Sequence, residues 1–211
     1  MDEKNALLAD LDFAATLARE AANTPLLGGA HFLIWSGLLV PTLLIHGSVL
    51  QGWLPLEPSL IGVLWLIYAI VGVTLSTLLG VRLANKPGAN TFLNRLSRAS
   101  GIALCALIFT FAAATSVAVG TRQVGYEAFN LILAFAFGLN AFHLVVLGAL
   151  SGKRHLWWCA FFAGAAMVFT VFYSQDSFVY FVAAFGVCLS MTLPGILELR
   201  AEDCHEPAAD T

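Results

Sequence analysis

The sequence predicts an all-α polytopic membrane protein, with six transmembrane helices behind an N-terminal amphipathic helix. Three observations carry this expectation. Of the 211 residues, 59% are hydrophobic and only 11% charged, against about 45–50% and about 25% in a soluble domain. The apolar residues gather in stretches that suit a bilayer core, where about 20 residues make one crossing. The basic residues fall almost entirely between alternate stretches.

With mean hydropathy of +0.84, the chain lacks the charge to solvate a globular surface, and it is too apolar for disorder. A net charge of −3 and a pI near 5.9 exclude a basic nucleic-acid binder.

The predicted spans are Gly28–Leu50, Leu60–Val81, Ala99–Val119, Ala128–Leu150, Leu156–Tyr173 and Phe178–Leu197. None carries Lys, Arg, Asp or Glu in its middle. A membrane β-barrel would need apolar–polar alternation, which segments such as Leu131–Leu150 lack. The chain thus divides into a cytoplasmic amphipathic helix (1–27), a six-helix bundle (28–200) and an acidic cytoplasmic tail (201–211).

Orientation follows from charge. Lys4 and Arg19 precede span one. Arg82, Lys86, Arg95 and Arg98 lie between spans two and three, Lys153 and Arg154 between spans four and five, and Arg200 after span six. Only Arg122 falls on the other face. The positive-inside rule then puts both termini in the cytoplasm, and the expected location is a bacterial cytoplasmic membrane. Asp2, Glu3, Asp10, Asp12 and Glu20 argue against a cleavable leader, so span one is expected to serve as the insertion signal. Cys105, Cys159 and Cys188 fall within spans and Cys204 in the tail, so no disulfide framework is expected.

Outside the spans, Asn5–Asn23 reads as an amphipathic helix, with Leu7, Leu8, Leu11, Ala14, Ala15 and Ala18 at helical spacing; Thr24 and Pro25 end it. It is expected to cap the bundle, lie on the lipid surface or engage a protein partner. Arg82–Arg98 reads as a basic anchoring loop. Glu202–Glu206 reads as a solvated tail. Stripes of small residues predict close helix packing, within one chain or in a homo-oligomer: Gly72, Ser76 and Gly80; Ala112, Ser116 and Gly120; Ala134 and Gly138; Ala160 and Gly164. Pro41 and Pro194–Gly195 interrupt the backbone ladder.

Polar residues within the spans are the candidate site. At 100° per residue, His31, Thr42 and His46 share an arc of about 60° on span one. On span four, Asn140 and His143 are one turn apart, with Asn130 on the neighbouring surface. Such groups are costly against lipid and should face the bundle interior. His31 and His143 are expected within about one helical turn of each other in depth. They could relay protons, hold a haem or metal, or form an interior hydrogen-bonded pair. No carboxylate is placed deep in a span; Glu127 and Glu198 flank spans four and six. No arrangement of catalytic Ser, Cys or paired carboxylates appears, so an enzyme is not expected.

Asn23-Thr24-Pro25-Leu26-Leu27-Gly28, Asn90-Thr91-Phe92 and the Gly148-x-Leu150-x-Gly152-x-Arg154 stretch resemble parts of the acetate–succinate transporter family, which also has six helices. The family's first-span motif is Asn-Pro-Ala-Pro-Leu-Gly-Leu. Asn23, Pro25 and Leu26 match it, its first proline is missing here, and the glycine is displaced. The resemblance implies anion permeation through a central pore. The functional expectation is a small-solute channel or transporter lined by His31, Thr42, His46, Asn140 and His143. The competing expectation is a non-transporting accessory or sensory subunit, with His31 and His143 as haem or metal ligands and residues 1–27 engaging a partner.

Overall fold

A computed structural model describes residues 5, 7–13, 15–16, 26–86 and 88–203. The remainder of the predicted N-terminal helix with its Thr24–Pro25 stop, and the tail from Cys204 onward, lie outside the described residues. The described residues contain helices and no strand: α1 (Gly29–Leu50), α2 (Leu60–Leu83), α3 (Phe92–Gly120), α4 (Asn130–Ser151), α5 (Arg154–Phe172), α6 (Val179–Val187) and α7 (Leu193–Asp203). A 3-10 turn (Tyr126–Phe129) precedes α4, and a π turn (Cys188–Thr192) joins α6 to α7. Six helical stretches are long and apolar enough to cross a membrane, α6, the π turn and α7 together making the last.

The packing order is α2, α1, α6/α7, α5, α4, α3: a horseshoe whose two ends, α2 and α3, share no packed interface. In the apolar windows of α2 and α3 only 6% of residues are buried, against 33–50% in the other four stretches. Close approach inside the horseshoe depends on missing side chains. A Cβ on Gly29 would stand 2.8 Å from the Leu199 nitrogen and 2.9 Å from the Gly195 oxygen, which fixes how closely α1 meets α7. A Cβ on Gly72 would strike the Trp35 ring, which lies flush against α2. Of the predicted small-residue stripes, Ala134 and Ala160 are buried, but a Cβ on Gly80, Gly120 or Gly164 would meet nothing within 4 Å.

Two cores fill the bundle. One comprises Leu43, Leu133, Phe137, Ala166, Val179, Tyr180 and Val187 and their neighbours. The other, towards the end that carries most basic residues, comprises Leu26, Leu93, Leu144, Leu147 and Leu156 with Cys159 and Ala160.

The structure corrects two boundaries. α3 starts at Phe92, so Arg95 and Arg98 ride on its first turns rather than in a loop. The helix extends past the apolar stretch because Leu93 is buried and Asn94 ties two neighbouring segments: its Oδ1 accepts from the Leu27 N–H (2.9 Å) and its Nδ2 donates to the Gly88 carbonyl (3.1 Å). The last stretch is widened into a π turn before Pro194 rather than broken, and continues as helix to Asp203. It runs on because Glu198 and Glu202, one turn apart, meet cations from other segments. In the N-terminal segment, the described residues of 5–16 are helical, and Leu7, Leu8, Leu11 and Phe13 are exposed. None of the described residues of this segment is buried against the bundle.

Candidate functional site

The horseshoe encloses a cavity of about 550 Å³, within the roughly 300–1,000 Å³ typical of small-ligand sites. α1 gives it His31 and Trp35, α2 gives Tyr68 and Ser76, α3 gives Arg98 and Cys105, and α4 gives Asn140 and His143; Val187 and Met191 close it from the last helical stretch. Each position follows from helical spacing. His31 and Trp35 are one turn apart on α1, and Arg98 and Cys105 are two turns apart on α3.

His143 is buried and lies 3.0 Å, through Nδ1, from the Ser100 hydroxyl on α3. That hydroxyl also reaches the Leu96 carbonyl at 2.7 Å. Its single proton is best spent on that shorter bond, which makes Nδ1–H the donor to Ser100 and leaves Nε2 as an acceptor. Phe32 stands beside the imidazole, ring centroids 6.0 Å apart. His31 makes no hydrogen bond and Arg98 no ion pair among the described residues.

Asn140 is buried, and its Nδ2 donates to the Ser190 carbonyl at 3.4 Å, a long bond that spans from α4 to the π turn. Ser190 precedes Pro194 by four residues. Proline has no N–H to offer that carbonyl, and single π turns recur where a helix must present backbone groups. The Ser190 hydroxyl is fully buried and has no hydrogen-bond partner.

Of the five sequence-predicted residues, His31, Asn140 and His143 line the cavity; Thr42 and His46 do not. The Thr42 hydroxyl donates back to its own helix at the Leu38 carbonyl (2.8 Å). The His46 ring packs against Tyr180, centroids 3.7 Å apart and tilted by 36°, and its Nδ1 accepts from Trp65 Nε1–H at 3.0 Å. Asn130 belongs to that same end of the bundle: the Tyr180 hydroxyl donates to its Oδ1, and its Nδ2 donates to the Ser174 carbonyl at 2.7 Å. One angular stripe thus serves two purposes, a cavity wall at His31 and an aromatic lock at His46.

Among the described residues no group of three His, Cys, Asp or Glu side chains is placed to hold a metal. His31 and His143 share the cavity, with Ser100 engaging one nitrogen of His143.

Sequence reasoning missed Ser100, Arg98 and Ser190 as neighbours of the site. It also placed Glu198 as a flank. The structure buries Glu198 at 1% exposure, with Lys153 Nζ on one carboxylate oxygen and His155 Nε2 2.8 Å from the other. Glu202, also buried, stands 3.5 Å from Lys86. These residues are helical or flank helices at the basic end, not parts of a solvated tail. Lys/Arg and His near the ends of apolar stretches were a usable signal, because a buried carboxylate needs cations within reach.

No family model, no curated protein and no solved structure matches this chain. The short stretches similar to the acetate–succinate transporter family therefore carry no further argument.

Proposed function

We propose that the protein is an integral membrane transporter or channel for a small solute, which binds in the cavity bounded by α1, α2, α3 and α4. The observation that carries this reading is that His31, Asn140 and His143 open into one cavity. Polar groups are costly among membrane helices unless they are satisfied or functional. The core around Leu43, Phe137 and Val187 adjoins the cavity, and His46, Tyr180 and Trp65 are joined by ring and hydrogen-bond contacts next to it. This arrangement favours a gated binding site over an open pore. The proline-associated π turn supports the same reading, since interrupted helices often line transport sites. The positive-inside rule gives the working topology, with the basic end in the cytoplasm.

The test is flux into liposomes across a panel of small anions and neutral solutes. Asn140→Leu and His143→Leu are compared with wild type at matched folded protein. At least one solute is expected to cross in a variant-sensitive manner. Equal flux for every solute in wild type and variants would contradict the reading.

The exposed side chains of Leu7, Leu8, Leu11 and Phe13 favour a second reading, a non-transporting accessory or sensory subunit docking through its N-terminal segment. Removing residues 1–16 separates the two: undiminished flux counts against the docking role, and absent flux in both forms counts against transport.

A further inference from the structure

We infer that the cavity's ligand is an amphiphile with a single anionic head and one apolar body, of the class of a long-chain carboxylate. The inference rests on the proposal that this cavity is the functional site, and it adds the chemical class of the occupant.

Polarity along the cavity is uneven. Arg98 and His31 stand towards the basic end of α3 and α1, and His143 is on the half of α4 that runs to the same end. Arg98 has no carboxylate partner, and His31 has no hydrogen bond, among the described residues. Glu198 and Glu202, the buried carboxylates at this end, are engaged with Lys153, His155 and Lys86. Among the described residues no carboxylate engages Arg98, which stands exposed at the rim of the cavity. Guanidinium binds carboxylate in two parallel hydrogen bonds.

Farther along, the walls change. Trp35, Tyr68, Leu39, Phe109 and Phe137 line the rest, with few polar groups among them. A small hydrophilic anion would satisfy Arg98 and leave that apolar length without a partner. A wholly apolar ligand would fill the apolar walls and leave the guanidinium at the rim unused. One molecule with a charged head and an apolar body suits both ends.

The basic end supplies the way in, since Arg98, which lines the cavity there, is exposed. The volume of about 550 Å³ is of drug-ligand size and suits one chain or a small ring system.

The experiment uses purified full-length protein in nanodiscs of zwitterionic lipid, titrated with dansyl-labelled undecanoic acid. The controls are its methyl ester and acetate. Saturable fluorescence enhancement is expected with the acid. The ester should bind about tenfold or more weakly, and Arg98→Gln should weaken the acid by a similar factor, because each removes the charge-assisted bond. Arg98→Lys should recover part of the loss. The acid should also slow alkylation of Cys105, which lines the apolar part. Equal binding of acid and ester, an Arg98→Gln affinity equal to wild type, or no saturable binding overturns the inference. If hydrophilic solutes cross liposomes with Asn140- and His143-dependent flux while the acid does not bind, the inference fails and the transport reading stands. If the acid binds in an Arg98-dependent manner and nothing crosses, the ligand class stands and the transport reading fails.

Discussion

Asn140 on α4 donates to the Ser190 carbonyl of the π turn, the oxygen that in an unbroken α-helix would bond the N–H of residue 194, where a proline stands. A side chain lining the cavity is thereby tied to the one irregular turn of the last helical stretch. The Ser190 hydroxyl next to it is buried and unbonded.

The two residues of that pair should respond differently. Asn140→Leu is expected to cost about 0.6 kcal/mol, the typical value for an interhelical hydrogen bond among membrane helices, while lowering solute transfer. Ser190→Ala removes a hydroxyl without a partner, so stability should stay within about 0.5 kcal/mol of wild type or rise. Unfolding in mixed micelles measures both. A larger loss for Ser190→Ala than for Asn140→Leu would show that the hydroxyl, not the amide, holds the turn.

Glu198 should be held by its cations more than they depend on it. Removing one partner of a buried ion pair costs about 3–5 kcal/mol, but Lys153 and His155 keep 22% and 32% exposure, so water covers part of their loss. Lys153→Met, which leaves a carboxylate at 1% exposure, is expected to cost about 2 kcal/mol or more. Glu198→Gln should cost less. Comparing the two by thermal unfolding in detergent tests the order, and the reverse order would contradict the assigned burial.

Backbone contact between α1 and α7 gives a steric prediction. Gly29→Ala places a methyl 2.8 Å from a backbone nitrogen that cannot rotate away, and should destabilise by about 1–3 kcal/mol. Gly80→Ala meets open space and should be neutral, or stabilising by up to about 1 kcal/mol through helix propensity. Paired melting curves check this, and equal effects would argue against the close approach.

His31 and His46 share a helical face yet should separate cleanly. His46→Phe keeps the ring against Tyr180 and loses the Trp65 hydrogen bond, so its main effect should be a stability loss of about 1 kcal/mol. His31→Phe removes no hydrogen bond to a described residue but alters the cavity wall, so flux should fall with little change in stability. Flux and melting temperature, measured on the same preparations, distinguish the two roles.

The helical architecture was legible because apolar length is a property of consecutive residues. The first stretch ends at Leu50 both in the sequence pattern and in α1. The candidate site was legible only in angle. His31 and His46 are within about 60° of each other, but about 22 Å apart along the axis at 1.5 Å per residue, and different helices meet them at those two depths. No spacing on α1 reveals that Trp65 engages one and leaves the other to the cavity. The environment of Glu198 was hidden for a related reason: its cations lie about 45 positions earlier in the chain and reach it only through the α4–α5 connection. Pro194 signalled an interruption, but proline alone does not say whether a helix kinks or widens; packing of α6 and α7 against α1 accompanies the wider turn.

Cys105 provides the most direct measurement. It lies about 20 Å along α3 from Phe92 by helical rise and lines the cavity. In protein carrying Cys159→Ser, Cys188→Ser and Cys204→Ser, reconstituted without added ligand, a membrane-impermeant sulfonated thiosulfonate should modify Cys105 when applied from the basic end and not from the opposite end. Folded protein that resists the reagent from both sides, yet reacts fully once unfolded, would contradict a cavity entered from the basic end and the account built on it.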